Sequence, residues 1–151
     1  MRVYRICRIA HRELDGRGAL LYGGRWNSPG RPIVYTSSTL SLAALEYLIH
    51  LEQQDAPSDL VALTIDLPDD SPAELVEHAA LPRGWEKVAE PPACKEIGDR
   101  WVQKGGSLIL QVPAAPVPEE LNLLLNPQHR DARRIRIVTE RPFFFDPRLL
   151  A

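Results

Sequence analysis

The sequence predicts an α+β fold in a single domain over residues 1–151, with a mixed, mostly antiparallel sheet at its core and helices flanking it. Three observations lead there. Short apolar or alternating runs suited to strands recur at residues 2–9, 32–37, 60–67, 107–112 and 134–138. Helical patterns at residues 40–53 and 93–104 lie between them. Fourteen prolines favour loops and short elements over a helical bundle. A chain of 151 residues can bury a hydrophobic core of its own, and no repeat or interdomain linker divides it.

Composition narrows the function classes. Hydrophobic residues make up 44% and charged residues 25%, as in ordinary globular proteins. A net charge of −2 argues against direct nucleic-acid binding, or membrane binding, driven by overall charge. No apolar run approaches the ~18 residues of a membrane span, and MRVYRICRIAHREL lacks the apolar core and cleavage site of a signal peptide. The two cysteines, Cys7 and Cys94, read as buried free thiols of a cytoplasmic protein.

The stretch from Gly23 to Glu46 organises the chain. It runs Gly23-Gly24-Arg25-Trp26-Asn27, a turn at Ser28-Pro29-Gly30, a strand ending Val34-Tyr35-Thr36-Ser37, and a helix carrying Glu46. A glycine pair allows close backbone approach or positive φ. Arg25 offers a planar fork to an anion, Tyr35 an aromatic face with a hydroxyl, and Glu46 a carboxylate. These parts suit a phosphorylated, planar-ringed molecule and chemistry at a sugar carbon. The helix, over Leu40 to about Gln53, is capped by Ser38 or Thr39 and lays down Leu42, Leu45 and Ile49 as its apolar stripe. Glu46 lies about 40° from Leu42 and about 60° from Ile49 around the helix. It therefore reads either as a salt bridge at a buried edge or as a carboxylate aimed into a cleft; Glu52 also falls near the stripe's edge.

The remaining elements follow from local signals. In the first strand, Arg5 and Arg8 interleave with Val3, Tyr4, Ile6 and Ile9, and Arg8 is expected in solvent. Asp15-Gly16-Arg17-Gly18 marks a turn. Gly16-x-Gly18 is not a dinucleotide fingerprint, because Leu21 replaces the third glycine and no strand–turn–helix frame surrounds it. Ser71-Pro72-Ala73-Glu74 predicts the start of a short helix. Leu81 to Trp85 is a turn with an aromatic anchor, and Gly105-Gly106 ends the helix that places Ile97 and Trp101 at i, i+4. Pro113 to Glu120 cannot be regular sheet, and Leu121 to Leu125 is apolar without an assigned element. Arg130, Arg133, Arg134, Arg136 and Arg141 are the one basic cluster, read as a solvated strand face or a site for an acidic partner or a phosphate. Phe143 to Pro147 is a closing strand or turn that buries part of its aromatic area.

Other chemistries lack their signatures. His11, His50, His78 and His129 form no HxxH, HxxxH or HExxH arrangement, and CxxC is absent, so no metal site is expected. There is no GxSxG elbow and no kinase set. Cys7 sits in an apolar strand and reads as inert packing.

Taken together, the motifs resemble the RES domain, the toxin half of RES–Xre type II toxin–antitoxin systems. The resemblance spans nearly the whole chain: Tyr4-Arg5, Gly18-Ala19, Gly23-Gly24-Arg25-Trp26-Asn27, Val34-Tyr35-Thr36-Ser37, Leu45-Glu46 and Leu81-Pro82-x-Gly84-Trp85. It continues through Ile97-Gly98-Asp99-x-Trp101, Val112-Pro113, Asn122-x-Leu124-Leu125-Asn126-Pro127 and Phe145-Asp146-Pro147-Arg148. The resemblance implies a fold similar to diphtheria-toxin-type ADP-ribosyltransferases and NAD+ as substrate rather than a bound prosthetic group. It implies cleavage of the nicotinamide–ribose bond by hydrolysis or phosphorolysis, or transfer of ADP-ribose to a protein. It also implies neutralisation by an Xre-like helix-turn-helix antitoxin, and a homodimer as in many relatives. Its functional positions fall on Arg5, Arg25, Tyr35 and Glu46; Glu46, Arg25 and Tyr35 are the catalytic candidates, and Arg5, Arg25, Tyr35, Asn27 and Ser37 the NAD+-binding ones. One departure stands out: many relatives carry serine after the Val-Pro where this chain has Ala114, so either that hydroxyl's role is dispensable or one polar contact is lost and the chain is a weakened enzyme or a partner-binding module.

Overall fold

The computed structural model describes residues 1–52 and 56–150. One seven-stranded sheet runs through it in the order β4-β5-β6-β2-β1-β3-β7. The strands are β1 (Arg2–Arg8), β2 (Val34–Ser37), β3 (Leu60–Asp66), β4 (Ala73–Leu75), β5 (Ile109–Pro113), β6 (Leu121–Leu125) and β7 (Arg136–Pro142). The helices are α1 (Arg17–Tyr22), α2 (Leu40–Ile49) and α3 (Pro92–Lys104). All neighbouring strands are antiparallel except β4 and β5. The α+β expectation is borne out.

Strand alternation sorts the apolar residues onto two faces. Val3, Cys7, Val34, Leu63, Ile65, Leu123 and Leu125 form a cluster on one face, with Ala132 and Ile135 packed against it. The opposite face carries two separate clusters. Leu110, Val112 and Leu124 pack with Trp26, Trp85 and the α3 residues Cys94, Trp101 and Val102. Ile6, Leu60, Ala62 and Phe145 pack with Ala43 of α2. Between these two clusters the sheet presents Tyr4, Tyr35, Ser37 and Asn122. There β1 and β2 share a single register pair, Tyr4 with Ser37, whereas β1 and β3 pair along their full length.

Several local expectations are corrected. Residues 73–75 form strand β4, parallel to β5, rather than a helix. Ser71 does not cap a helix there; its hydroxyl donates to Asp131 at 2.9 Å, and the ladder to β5 takes the backbone. Leu121–Leu125 is a central strand between β5 and β2. The turn at Asp15–Gly18 leads into α1, entered through Gly16 at φ 69°. Helix α2 is capped by Thr39, whose side chain accepts from the Leu42 amide at 3.1 Å. It ends at Ile49, and Gln53 lies outside the described residues. The packed face of α2 is Leu40, Ala43, Ala44, Tyr47 and Leu48, with Leu42 also buried, and Ile49 is 54% exposed. The stripe through Leu45 and Ile49 is therefore out of phase with the burial. Strand β7 begins at Arg136 and is exposed along its whole length. It is a sheet edge, which charged residues and a terminal proline keep from further pairing.

Candidate functional site

A cavity of about 670 Å³ opens on the face between the α2 and α3 clusters. Its wall includes Tyr4, Tyr35 and Ser37 from the sheet, Glu46, Tyr47 and His50 from α2 and its end, and Gly23 to Trp26 from the loop after α1. Glu86, Ala89 and Glu90 close one side, and Asn122, Ala115 and Pro116 another. Arg5 is one residue out of phase with Tyr4 and Ile6, yet it too is part of the cavity wall.

The Gly-Gly-Arg-Trp-Asn loop is a tight turn. Gly24 and Asn27 exchange backbone hydrogen bonds of 3.0 and 3.4 Å, with Arg25 and Trp26 at the tip. Gly24 cannot bear a side chain, since a Cβ there would stand 2.6 Å from the Tyr35 hydroxyl. Trp26 turns inward and packs on Trp85 at 6.0 Å between ring centroids. Arg25 lies over the Trp85 ring with Cζ 5.7 Å from its centroid. Its Nη1 donates to the carbonyls of Trp85 at 3.3 Å and Val88 at 2.9 Å. One nitrogen of the fork thus ties the loop to the 85–88 segment, and the others keep their donors for a ligand.

Helix α3 holds this turn from below with three residues on one face. Lys95 Nζ donates to the carbonyls of Gly24 at 2.6 Å and Asn27 at 3.3 Å. Gly98 lets the helix backbone come up against the Trp26 carbonyl. Asp99 accepts from the Ser28 amide at 2.8 Å and the Ser28 hydroxyl at 2.7 Å. Sequence reasoning gave Lys95 and Asp99 no role; the Lys-x-x-Gly-Asp spacing on one helix face was the available signal.

Each candidate residue has a distinct position. Tyr35 lines the cavity with its ring, but its hydroxyl donates to Asn27 Oδ1 at 2.7 Å and accepts from the Trp26 amide at 3.1 Å. Burial pushes this phenol far above its ordinary range. Asn27 is 0% exposed, and its amide donates to the carbonyls of Ala19, Ser28 and Arg31 at 2.9, 3.1 and 3.0 Å. These bonds build the loop. Ser37 lines the cavity but donates its hydroxyl to Asn122 Oδ1 at 2.7 Å. Asn122 Nδ2 in turn donates to Glu46 Oε1 at 2.6 Å. Among the described residues Glu46 has no cationic partner, so the salt-bridge reading of this carboxylate falls away. Arg5 makes one long bond, 3.5 Å to the Glu13 carbonyl.

Two further expectations meet the geometry here. Ala114 is 0% exposed, stands outside the cavity wall, and uses its amide to bond the Glu120 carbonyl at 2.9 Å. The cavity is lined instead by its neighbour Ala115. Among the described residues no group of three or more His, Cys, Asp or Glu side chains is placed to hold a metal ion.

The RES domain family model matches residues 2–146. The chain belongs to the RES domain family. It is 40% identical over 142 residues to the "Prs ADP-ribosylating toxin" of Sphingobium sp. (strain YBL2), covering 91% of this chain and 87% of that one. It is 37% identical over 153 residues to the "Toxin Res" of Photorhabdus laumondii, covering 99% and 97% respectively. Its fold matches a chain in the crystal structure of the M. tuberculosis MbcT–MbcA toxin–antitoxin complex. That match has a TM-score of 0.75 at 20% identity over 94% of this chain and 83% of the other. In this RES domain the motif residues separate into two sets: Arg5, Arg25, Tyr35, Ser37 and Glu46 meet at the cavity, and Asn27 with the α3 residues shapes the loop beneath it.

Proposed function

We propose that this RES domain is the toxin of a type II toxin–antitoxin pair, that its cavity binds NAD+, and that it cleaves the bond between nicotinamide and ribose C1′. The observation that carries this reading is a carboxylate, Glu46, with no cationic partner among the described residues, sharing one cavity with Arg5 and Arg25. At about 670 Å³ the cavity has the size of a small-molecule site.

The chemistry follows from charge. As the C1′–N bond breaks, its electron pair passes to the nicotinamide nitrogen, which leaves as a neutral molecule. Positive charge develops on the ribose, as in the oxocarbenium-like transition state of glycoside hydrolysis. Glu46 faces that charge and accepts from a ribose hydroxyl, or orients the attacking group. Arg5 and the free nitrogens of Arg25 bind the pyrophosphate by charge-assisted hydrogen bonds. Tyr35 supplies an aromatic wall for the nicotinamide, since its hydroxyl is committed to the loop. The acceptor is water or phosphate. The relative named as an ADP-ribosylating toxin favours a second reading, in which a protein side chain takes the ADP-ribose.

The partner is a cognate Xre-like antitoxin that covers the cavity, with the enzyme acting in the cytoplasm. Direct nucleic-acid binding is not part of this reading. Arg134 of the basic cluster is paired with Asp70 and Asp131, and Arg136 and Arg141 donate to backbone carbonyls.

The test is NAD+ loss by purified protein, with and without inorganic phosphate, beside Glu46→Gln. Expected is loss by the wild type and a drop of roughly 100-fold or more in the folded variant. Normal turnover by Glu46→Gln sinks the assignment. Label from NAD+ appearing on a protein, with no free ADP-ribose or its phosphate, selects the second reading.

A further inference from the structure

Glu46 touches one side chain by hydrogen bond among the described residues, and that side chain, Asn122, has no part in the chemistry above. Asn122 sits on β6 directly opposite Ser37 of β2 and, on its other side, Val112 of β5. A central strand paired on both edges is a rigid platform. Ser37, only 4% exposed, donates its hydroxyl to Asn122 Oδ1 at 2.7 Å. The acceptor-only carboxylate of Glu46 sets which way the amide faces, and the Ser37 hydroxyl, able to donate, satisfies the oxygen on the other side. The reversed amide would turn Oδ1 toward Glu46 Oε1, two acceptors 2.6 Å apart with no proton between them.

We propose that Ser37 and Asn122 form a relay that positions Glu46 for catalysis, with Asn122 holding Oε1 and Oε2 left for the substrate. The proposal rests on the reading of Glu46 as the carboxylate at the reacting ribose. A neutral amide suits the task. An arginine or lysine in its place would fix the carboxylate but also cancel the charge that faces the developing cation. The amide fixes the rotamer and leaves the charge intact.

The relay is tested by NAD+ kinetics on the full chain as wild type, Asn122→Ala, the isosteric Asn122→Asp, Ser37→Ala, Glu46→Gln and the double variant Asn122→Ala with Glu46→Gln. Both Asn122 variants are expected to lose roughly 10- to 100-fold in kcat, the scale of a misplaced catalytic group, with KM for NAD+ nearly unchanged. Ser37→Ala loses less, because Asn122 keeps its donor. In the Glu46→Gln background Asn122→Ala has almost no further effect, since both act through one carboxylate. Wild-type kcat in either folded Asn122 variant, or the same fold-loss with and without Glu46, overturns the relay. An active wild type with an inactive Glu46→Gln and intact Asn122 variants overturns the relay alone. A wild type inert toward NAD+ with every acceptor overturns the functional reading and the relay together.

Discussion

Gly98 stands against the carbonyl of Trp26 with no room for a Cβ between them. Helix α3 therefore supports the Gly24–Asn27 turn by backbone contact as well as through Lys95 and Asp99. Gly98→Ala must push the helix and the turn apart. The expected cost is about 1–3 kcal/mol from overpacking, read as a lower urea midpoint. Turnover falls further than the unfolded fraction explains, because Arg25 moves with the turn. An unchanged midpoint would mean that the contact relaxes freely.

Tyr35→Phe removes a hydroxyl that serves both the Trp26 amide and Asn27. Two buried groups lose their partner, which costs about 1–3 kcal/mol. A thermal melt at neutral pH checks this.

Tyr35 also gives a pH signature. Its folded pKa is raised by burial, so its contribution is fully present below the unfolded value of about 10 and declines as pH rises beyond it. Above that pH the wild type should lose stability faster than Tyr35→Phe, and the gap between them should narrow. Urea midpoints of both proteins between pH 8 and 11 measure it; a constant gap would count against a buried neutral phenol.

Arg25→Lys keeps the charge and loses the fork. An ammonium cannot lie flat on Trp85, donate to the Trp85 and Val88 carbonyls and still present donors to an anion. KM for NAD+ should rise roughly tenfold with a smaller change in kcat. Hydrogen exchange should quicken at residues 85–88.

Cys7 and Cys94 are both free and buried, and burial pushes both thiols upward. A thiol reagent should label neither at neutral pH in the native protein and both in denaturant. Rapid native labelling of either would contradict the packing.

How much of this was legible in the sequence depended on the kind of signal. Strands with flanking breakers, such as Leu60–Asp66, announced themselves. Leu121–Leu125 did not, because a central strand with Leu123, Leu124 and Leu125 all buried shows no apolar–polar alternation. Residues 71–75 carried a good helix start, and a three-residue parallel ladder overrode it. The α2 stripe is misleading because Ile49 is apolar but lines the cavity, half exposed. Arg25, Tyr35 and Glu46 were recognisable from their motifs. The partner that holds Glu46 was not: Asn122 is 76 residues away in the chain, and only the register of β2 with β6 brings the two together.

The single pair joining β1 to β2 leaves the sheet with a seam, and the two apolar clusters on its open face stand as separate shoulders on either side. The cavity is the gap between them, so its width is a property of the seam rather than of any one wall. A binder that gripped α2 on one shoulder and residues 85–88 on the other would act as a staple across the joint. Such a binder would span the cavity from rim to rim without placing a single atom inside it.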